Sequence, residues 1–326
     1  MLKTLSLLIS VAITTGLLGC TESSQINKEN TNATEAKGKP QVVVSSSILC
    51  DLTAKIAQET IAQTCLIARE QDSHSYTTTT ANRKAIETAQ LVLYDGYDLI
   101  PAIEDIVESS VDTPANKVAV YEEAVTEPIM AKHDHHEHEG EELEADPHVW
   151  HNVQNVIAAV EVIEKELAAV NPEEKQFYED NAKQFKRELE ELDSWVKKQV
   201  ATIPQQKRTL VTTHEAFNYY IQAYGFEGSE ALQGLSTEDS PAAADVKKLV
   251  KMLRETQVPT IFSEAASNDK IIATVAREAA VKVAEESLLT DALGKKDSET
   301  GTYIGMMVTN TCTIVEGLDG QCNGFF

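Results

Sequence analysis

Several features are missing from this 326-residue sequence, and each absence narrows what the protein can do. The five cysteines form no Cys-x-x-Cys pair, which argues against a structural zinc knot. No His-Glu-x-x-His occurs, so the helical signature of a zinc hydrolase is absent. Basic residues are scarce. Lys and Arg number 28 against 52 Asp and Glu, and a net charge of −24 speaks against nucleic acid or an anionic membrane surface as main partner. There is no clear internal repeat, and the apolar run Leu5 to Leu18 is short for a membrane span. What remains suits a globular protein whose ligand is a cation. The chain is 42% hydrophobic and 25% charged, and is long enough for two lobes of similar size.

The N-terminus reads as a targeting segment. Lys3 supplies positive charge, an apolar stretch follows, and Leu17-Leu18-Gly19-Cys20 resembles a bacterial lipobox. On that reading residues 1–19 are a signal peptide and Cys20 carries lipid on its sulfur. The alternative is an ordinary secretory signal cut nearby. Either way the mature chain works outside the cytoplasm, and the lipobox reading anchors it to a membrane facing the periplasm or the exterior. Residues 20–40 are polar, lack apolar periodicity and read as a flexible tether. With Cys20 as anchor, Cys50, Cys65, Cys312 and Cys322 remain, an even set that favours disulfides in an oxidising compartment. Three connectivities are possible; proximity in sequence favours Cys50–Cys65 and Cys312–Cys322, with buried free thiols as the alternative.

Beyond the tether, β-rich apolar runs alternate with helical stretches. Strands are expected at 41–47, 64–68, 91–94 and 117–121, with helices at 51–59 and 82–89 between them. The alternation resumes with strands at 208–213, 260–263 and 281–285 and helices at 216–223 and 269–280. This pattern predicts an α/β protein with mostly parallel sheets flanked by helices, in an N-terminal lobe (41–170) and a C-terminal lobe (204–326). Between them, residues 171–203 read as one long linking helix. Asn171 can cap it and Pro172 suits its first position. Tyr178, Ala182, Phe185, Leu189, Leu192 and Val196 then mark a single helical face. Nearly thirty residues at ~1.5 Å each span roughly 40 Å.

Six of the eight histidines fall within HDHHEHEGEELEADPHVWH, residues 133–151. The stretch divides in two. Within a loop over 132–144, His133, His135, His136 and His138 alternate with carboxylates and suit weak, many-geometry binding of borderline metals; a solvated polar loop is the alternative. His148, by contrast, is fixed beside Pro147 and Trp150. His74 follows the second expected strand, His214 follows the strand at 208–213 directly, and Asp291 follows the one at 281–285. In open parallel sheets ligands bind at the carboxyl ends of strands, so these four, drawn from both halves, would meet between the lobes.

The motifs DSHSY (72–76), LVLYDGYDL (91–99), DPHVW (146–150), THEAFNYYIQAYGF (213–226), TDALG (290–294) and YIGMMVTNT (303–311) resemble those of zinc- or manganese-binding solute-binding proteins of ABC transporters, the cluster A-I type. The resemblance runs from about residue 41 to the C-terminus. It implies two α/β lobes joined by a long rigid helix, and metal ligands at His74, His148, His214 and Asp291. It further implies a partner permease in the membrane, no catalysis, and a monomer. Two departures stand out. TTTTAN replaces the family's proline-rich stretch after the first ligand, and His151 stands where leucine is usual; His151 and Glu215 are therefore alternative ligands. Three imidazoles with one carboxylate favour Zn2+ over Mn2+, since manganese members carry glutamate at the His214 position. The implied function is capture of Zn2+ and its delivery to the permease. A manganese-binding counterpart, or a metal-binding adhesin or zinc buffer, is the alternative.

Overall fold

The computed structural model describes residues 38–110, 115–132, 143–238, 241–256, 258–265 and 269–325. The signal peptide, Cys20, most of the tether and the tract holding His133, His135, His136 and His138 lie outside them.

The valine run that opens the folded part forms β1 (Gln41–Val44), fully inside the sheet and nearly all buried. The chain turns at once into α1 (Ser47–Ala57), because the Ser46 hydroxyl accepts the Leu49 N–H as a cap. There follow β2 (Ala62–Cys65), α2 (Thr80–Thr88), β3 (Leu91–Tyr94), α3 (Pro101–Ser109), β4 (Asn116–Ala119) and α4 (Val120–Ala124). The four strands pair in parallel in the order β2-β1-β3-β4. TTTTAN is no gap in the structure: Thr79 and Asn82 form a reciprocal capping box that starts α2. A short antiparallel hairpin, β5 (Met130–Lys132) with β6 (Leu143–Ala145), brackets the histidine tract.

Two long helices come next. α5 (Val153–Val170) and α6 (Lys175–Val200) are joined by one 3-10 turn, Pro172–Glu174, and pack against each other. The long helix is thus half of a helical hairpin rather than an isolated rod. Asn171 does not cap α6; it ends α5, and its side-chain amide donates to the Tyr178 hydroxyl. The expected face is right: Tyr178, Ala182, Phe185, Leu189, Leu192 and Val196 are all buried. At ~1.5 Å per residue, the 26 residues of α6 span about 39 Å. It touches α1 and α5, and also the later helices α7 (Asn218–Tyr224) and α10 (Tyr303–Gly317).

The C-terminal lobe repeats the α/β alternation with β7 (Thr209–His214), β8 (Gly228–Gln233), α8 (Ala243–Glu255), β9 (Thr260–Ile261), α9 (Asp269–Ala279) and β10 (Lys282–Val283). β7 pairs with β8 and β9 with β10, both in parallel, and the Phe262 N–H reaches the Val211 carbonyl to join β9 to β7. A second core, with Val211, Leu232, Leu253, Ile261 and Ile272, lies under α8 and α9. The two lobes pack into one compact unit, Lys39–Phe326. Cys50 is bonded to Cys65 and Cys312 to Cys322.

Several expected elements shift. The strand placed at 41–47 ends at Val44, because Ser47 already belongs to α1, and those placed at 260–263 and 281–285 shorten to Thr260–Ile261 and Lys282–Val283. The strand placed at 64–68 pairs over Ala62–Cys65, although Leu66 and Ile67 still donate to the carbonyls that continue β1. The strand placed at 117–121 stops at Ala119, because Val120 and Tyr121 are buried as the first turn of α4. The helix placed at 51–59 begins four residues earlier, at Ser47, because of the Ser46 cap.

Candidate metal centre

His74 sits on the loop after β2, where Asp72 shapes the turn by accepting the His74 N–H at 3.0 Å and the Ser75 hydroxyl at 2.9 Å. His148 ends the segment Asp146-Pro147 just before a single 3-10 turn. His214 is the last residue of β7. Asp291 lies on the loop after Leu288, which bridges to Glu264, three residues beyond β9. All four are buried, and one ligand atom from each lies within 4.8 Å of the other three.

The distances are those of a cage. His148 Nε2 is 3.2 Å from the Nε2 of both His74 and His214. Asp291 Oδ1 lies 3.3 Å from His148 Nε2 and 3.7 Å from His74 Nε2, and its Oδ2 lies 3.6 Å from His214 Nε2. A tetrahedral ion with bonds of ~2.0–2.1 Å requires ligand atoms about 3.3–3.4 Å apart.

The neighbours of the cage decide which way each ring is used. Asp146 Oδ1 takes both the backbone N–H of His148, at 2.9 Å, and its Nδ1, at 2.8 Å. Glu264 does the same for His214. Its Oε1 accepts the N–H groups of Thr213 and His214 at 2.9 Å each, and its Oε2 bonds His214 Nδ1. With each Nδ1–H spent on a carboxylate, the Nε2 lone pairs of both rings point inward. Lone pairs this close repel unless a cation or a proton lies between them. Asp291 Oδ1 adds a buried anionic oxygen with no hydrogen-bond donor. The same arrangement favours protons on the rings. Burial would lower His148, but Asp146 and Asp291 hold it above its ordinary value. Burial likewise opposes the charged form of His214, and the charges of Glu264 and Asp291 hold it well above. Burial would raise Asp291, yet the charge of His214 and the adjoining rings of His148 and His74 keep it well below the usual carboxylate range.

His151 and Glu215 stand outside this group. His151 is fully buried with its ring 4.4 Å from that of Phe217, and neither ring nitrogen has a hydrogen-bond partner of ordinary geometry. Burial and the nearby charge of His148 push it down to about 3. Glu215 accepts from Asn218 at 3.1 Å and lines a separate cavity of about 190 Å³ beside β8 and α8. Sequence reasoning passed over Asp146 and Glu264 as supports. Glu264 was within reach of the rule that singled out the others, since it directly follows an expected strand.

A second cavity, about 610 Å³, opens beside His74 and Pro147 and is lined by Asp98, Glu104, Glu108, Glu122, Glu144 and Glu238. Burial, with the charges of Asp98 and Asp95, pushes Glu104 up to about 8. A mouth of this sign concentrates cations at the cage. Among the described residues no helix is long and apolar enough to cross a membrane.

Comparison with known proteins gives this geometry a context. The manganese-binding lipoprotein MntA of Bacillus subtilis is 33% identical over 282 residues, covering 85% of this chain and 89% of its own. The zinc-binding protein TroA of Treponema pallidum is 32% identical over 288 residues, covering 87% and 90%. The solved structure of the periplasmic zinc-binding protein TroA superposes with a TM-score of 0.79 at 28% identity, covering 86% of this chain and 99% of that one. The family model described as zinc-uptake complex component A, periplasmic, matches residues 42–317. The chain belongs to this ZnuA family of metal-binding transporter components.

Proposed function

We propose that this protein captures Zn2+ outside the cytoplasm and delivers it to an ABC transporter permease, with His74, His148, His214 and Asp291 as ligands. The observation that carries the reading is the convergence of three imidazole nitrogens on a buried carboxylate oxygen that has no donor of its own. Four protein ligands leave no reserved position for a reacting water, so the site binds rather than turns over. Nitrogen ligands also rank zinc above manganese in affinity.

The relatives' names support the remaining parts. Those called lipoproteins favour the lipobox reading, with Cys20 as the anchor and the body facing the periplasm or exterior. The tract His133 to His138, bracketed by β5 and β6, would gather additional zinc weakly, and Glu144 on β6 lines the acidic mouth beside His74. The protein acts as a monomer.

A manganese role is the second reading, favoured by the name of the 33% identical relative MntA. Native mass spectrometry of metal-stripped protein titrated with Zn2+ against excess Mn2+ separates them. One retained zinc, with weaker ions lost on deleting Lys132 to Glu144, is the expected result. One retained manganese overturns the assignment, and loss of the tight site with the deletion overturns the division between tract and cage.

A further inference from the structure

Asp291 comes from the C-terminal half of the sequence, yet the segment that carries it is fastened to the N-terminal lobe. Up to Leu289 the chain is held by its own lobe: Leu288 donates to Ser263, and Leu289 exchanges hydrogen bonds with Asn310. From Thr290 onward the partners change. Trp150 Nε1 donates to the Thr290 carbonyl at 2.9 Å, and the Ser73 hydroxyl donates to the Asp291 carbonyl at 3.2 Å. The Leu293 N–H donates to Ser47 at 3.0 Å, and its carbonyl accepts the Glu70 N–H at 3.0 Å. The Tyr303 N–H, at the start of α10, donates to Asp51 at 2.9 Å.

The centre of this strap is Arg69, on the loop between β2 and His74. One guanidinium nitrogen donates to the carbonyls of Gly294 at 3.3 Å and Gly301 at 2.6 Å, closing the neck of the loop between them. The neck is tight enough to demand glycine: a Cβ at Gly301 would meet the carbonyl oxygens of Lys295 and Lys296 at 2.5 Å each.

We propose that Arg69 is the positioning residue for Asp291, so that this ligand moves with the N-terminal lobe and His74 while His214 moves with the C-terminal lobe. The proposal rests on the metal-binding role of the cage. His214 is tied on its own side by Glu264 and the β7 backbone. A small displacement between the lobes then separates His214 from Asp291 before it disturbs the pairing of Asp291 with His74. Release is the loss of one particular ligand contact, and Arg69 sets how firmly the other side is held.

The test uses Co2+ and Zn2+ on the full folded chain with three variants. Arg69→Ala removes both hydrogen bonds; Arg69→Lys keeps the charge with a single donor head. Arg254→Ala is the control, because Arg254 also binds a carbonyl, that of Glu278, but belongs to α8 and its neighbour α9. Visible absorption of bound Co2+ reports the ligand geometry, and chelator-triggered stopped flow reports Zn2+ dissociation. Losing a group bonded directly to a ligand typically weakens metal binding by about 10- to 100-fold, and Arg69 acts one step further out, through the backbone after Asp291. Arg69→Ala should therefore release Zn2+ several-fold faster with an altered Co2+ spectrum, Arg69→Lys should recover part of both, and Arg254→Ala should match the parent. If Arg69→Ala lowers the melting temperature of the apoprotein but leaves spectrum and dissociation rate unchanged, Arg69 is only structural and the proposal fails. If the unsubstituted protein binds neither ion, the metal-binding reading itself has failed and the proposal falls with it.

Discussion

Replacing Glu264 by glutamine tests the logic of the cage without touching a ligand. The side chain keeps its shape, and one oxygen can still accept the N–H groups of Thr213 and His214, now 2.9 Å away. The other end becomes an NH2 group facing His214 Nδ1, which currently bonds a carboxylate oxygen. The ring must then carry its proton on Nε2, where the metal should bind, or the amide must turn over and strand two buried N–H groups. Either outcome weakens zinc by about 10- to 100-fold, or ~1.4–2.8 kcal/mol. The pH profile changes as well. Burial opposes protonation of His214, but the charges of Glu264 and Asp291 raise it well above its ordinary 6.5, so a proton competes with the ion throughout the neutral range. Affinity therefore climbs with pH until that raised value is passed. Without the Glu264 charge the value falls and the climb ends at lower pH, so parent and variant differ most at the alkaline end. The apoprotein shows the matching effect on stability. A histidine raised by folding contributes fully below 6.5 and loses that contribution as pH rises through its folded value, and the variant loses less. Chelator-competition titrations with Zn2+ from about pH 5.5 to 8.5 would read both quantities. Equal affinity and an identical pH profile would refute the role given to Glu264.

Three further outcomes are expected. His151→Phe should leave zinc affinity unchanged and stabilise the apoprotein by about 1 kcal/mol, since it removes two buried nitrogens that lack a hydrogen-bond partner of ordinary geometry; because His151 is held down to about 3, it should also remove an acid sensitivity that begins as pH falls below 6.5, seen in urea unfolding at several pH values. Asp95, buried and bonded by Ser45 at 2.5 Å and Ser46 at 2.8 Å, is pushed by burial up to about 6, so its contribution has the opposite sign: stability falls by about 3 kcal/mol as pH rises from 3.8 to 6, and Asp95→Asn should flatten that slope in the same titration. Paired serine substitutions at Cys50 and Cys65, which lie 15 residues apart, should cost about 3 kcal/mol of unfolding free energy, and those at Cys312 and Cys322, 10 apart, slightly less, both read by denaturant titration.

His74, His214 and Asp291 were legible because each comes after an expected strand, and strands such as Leu91–Tyr94 announce themselves by unbroken apolar character, whereas His148 stood out by its setting beside Pro147 and Trp150. The buried face of α6 was legible for a similar reason, being a polar helix with one apolar stripe. α5 escaped because its stripe is blurred: Ile157, Val162 and Ala168 add apolar positions around the face that Val156, Val160, Ile163 and Leu167 bury. The pairings made by Glu264 and Arg69 were hidden in a different way. Glu264 meets His214 across 50 positions and Arg69 meets Gly301 across 232, and neither pairing leaves a local pattern in one sequence.

The long helix also bears on which ions the protein refuses. Because α6 is packed against helices of both lobes, the frame cannot swing wide to adapt to its guest. Five of the cage's spacings are 3.2–3.7 Å and all its ligand atoms lie within 4.8 Å of one another, so the frame holds a small space of nearly fixed size. Calcium, which takes six to eight oxygen ligands at ~2.3–2.6 Å, meets three nitrogens and a single carboxylate here. Magnesium fits by size but prefers an oxygen octahedron and keeps its waters, for which a buried cage of three imidazoles has no room. On the proposed reading, stiffness would add to the discrimination made by ligand chemistry, and the commonest divalent ions would find little in a site whose charge would otherwise welcome them.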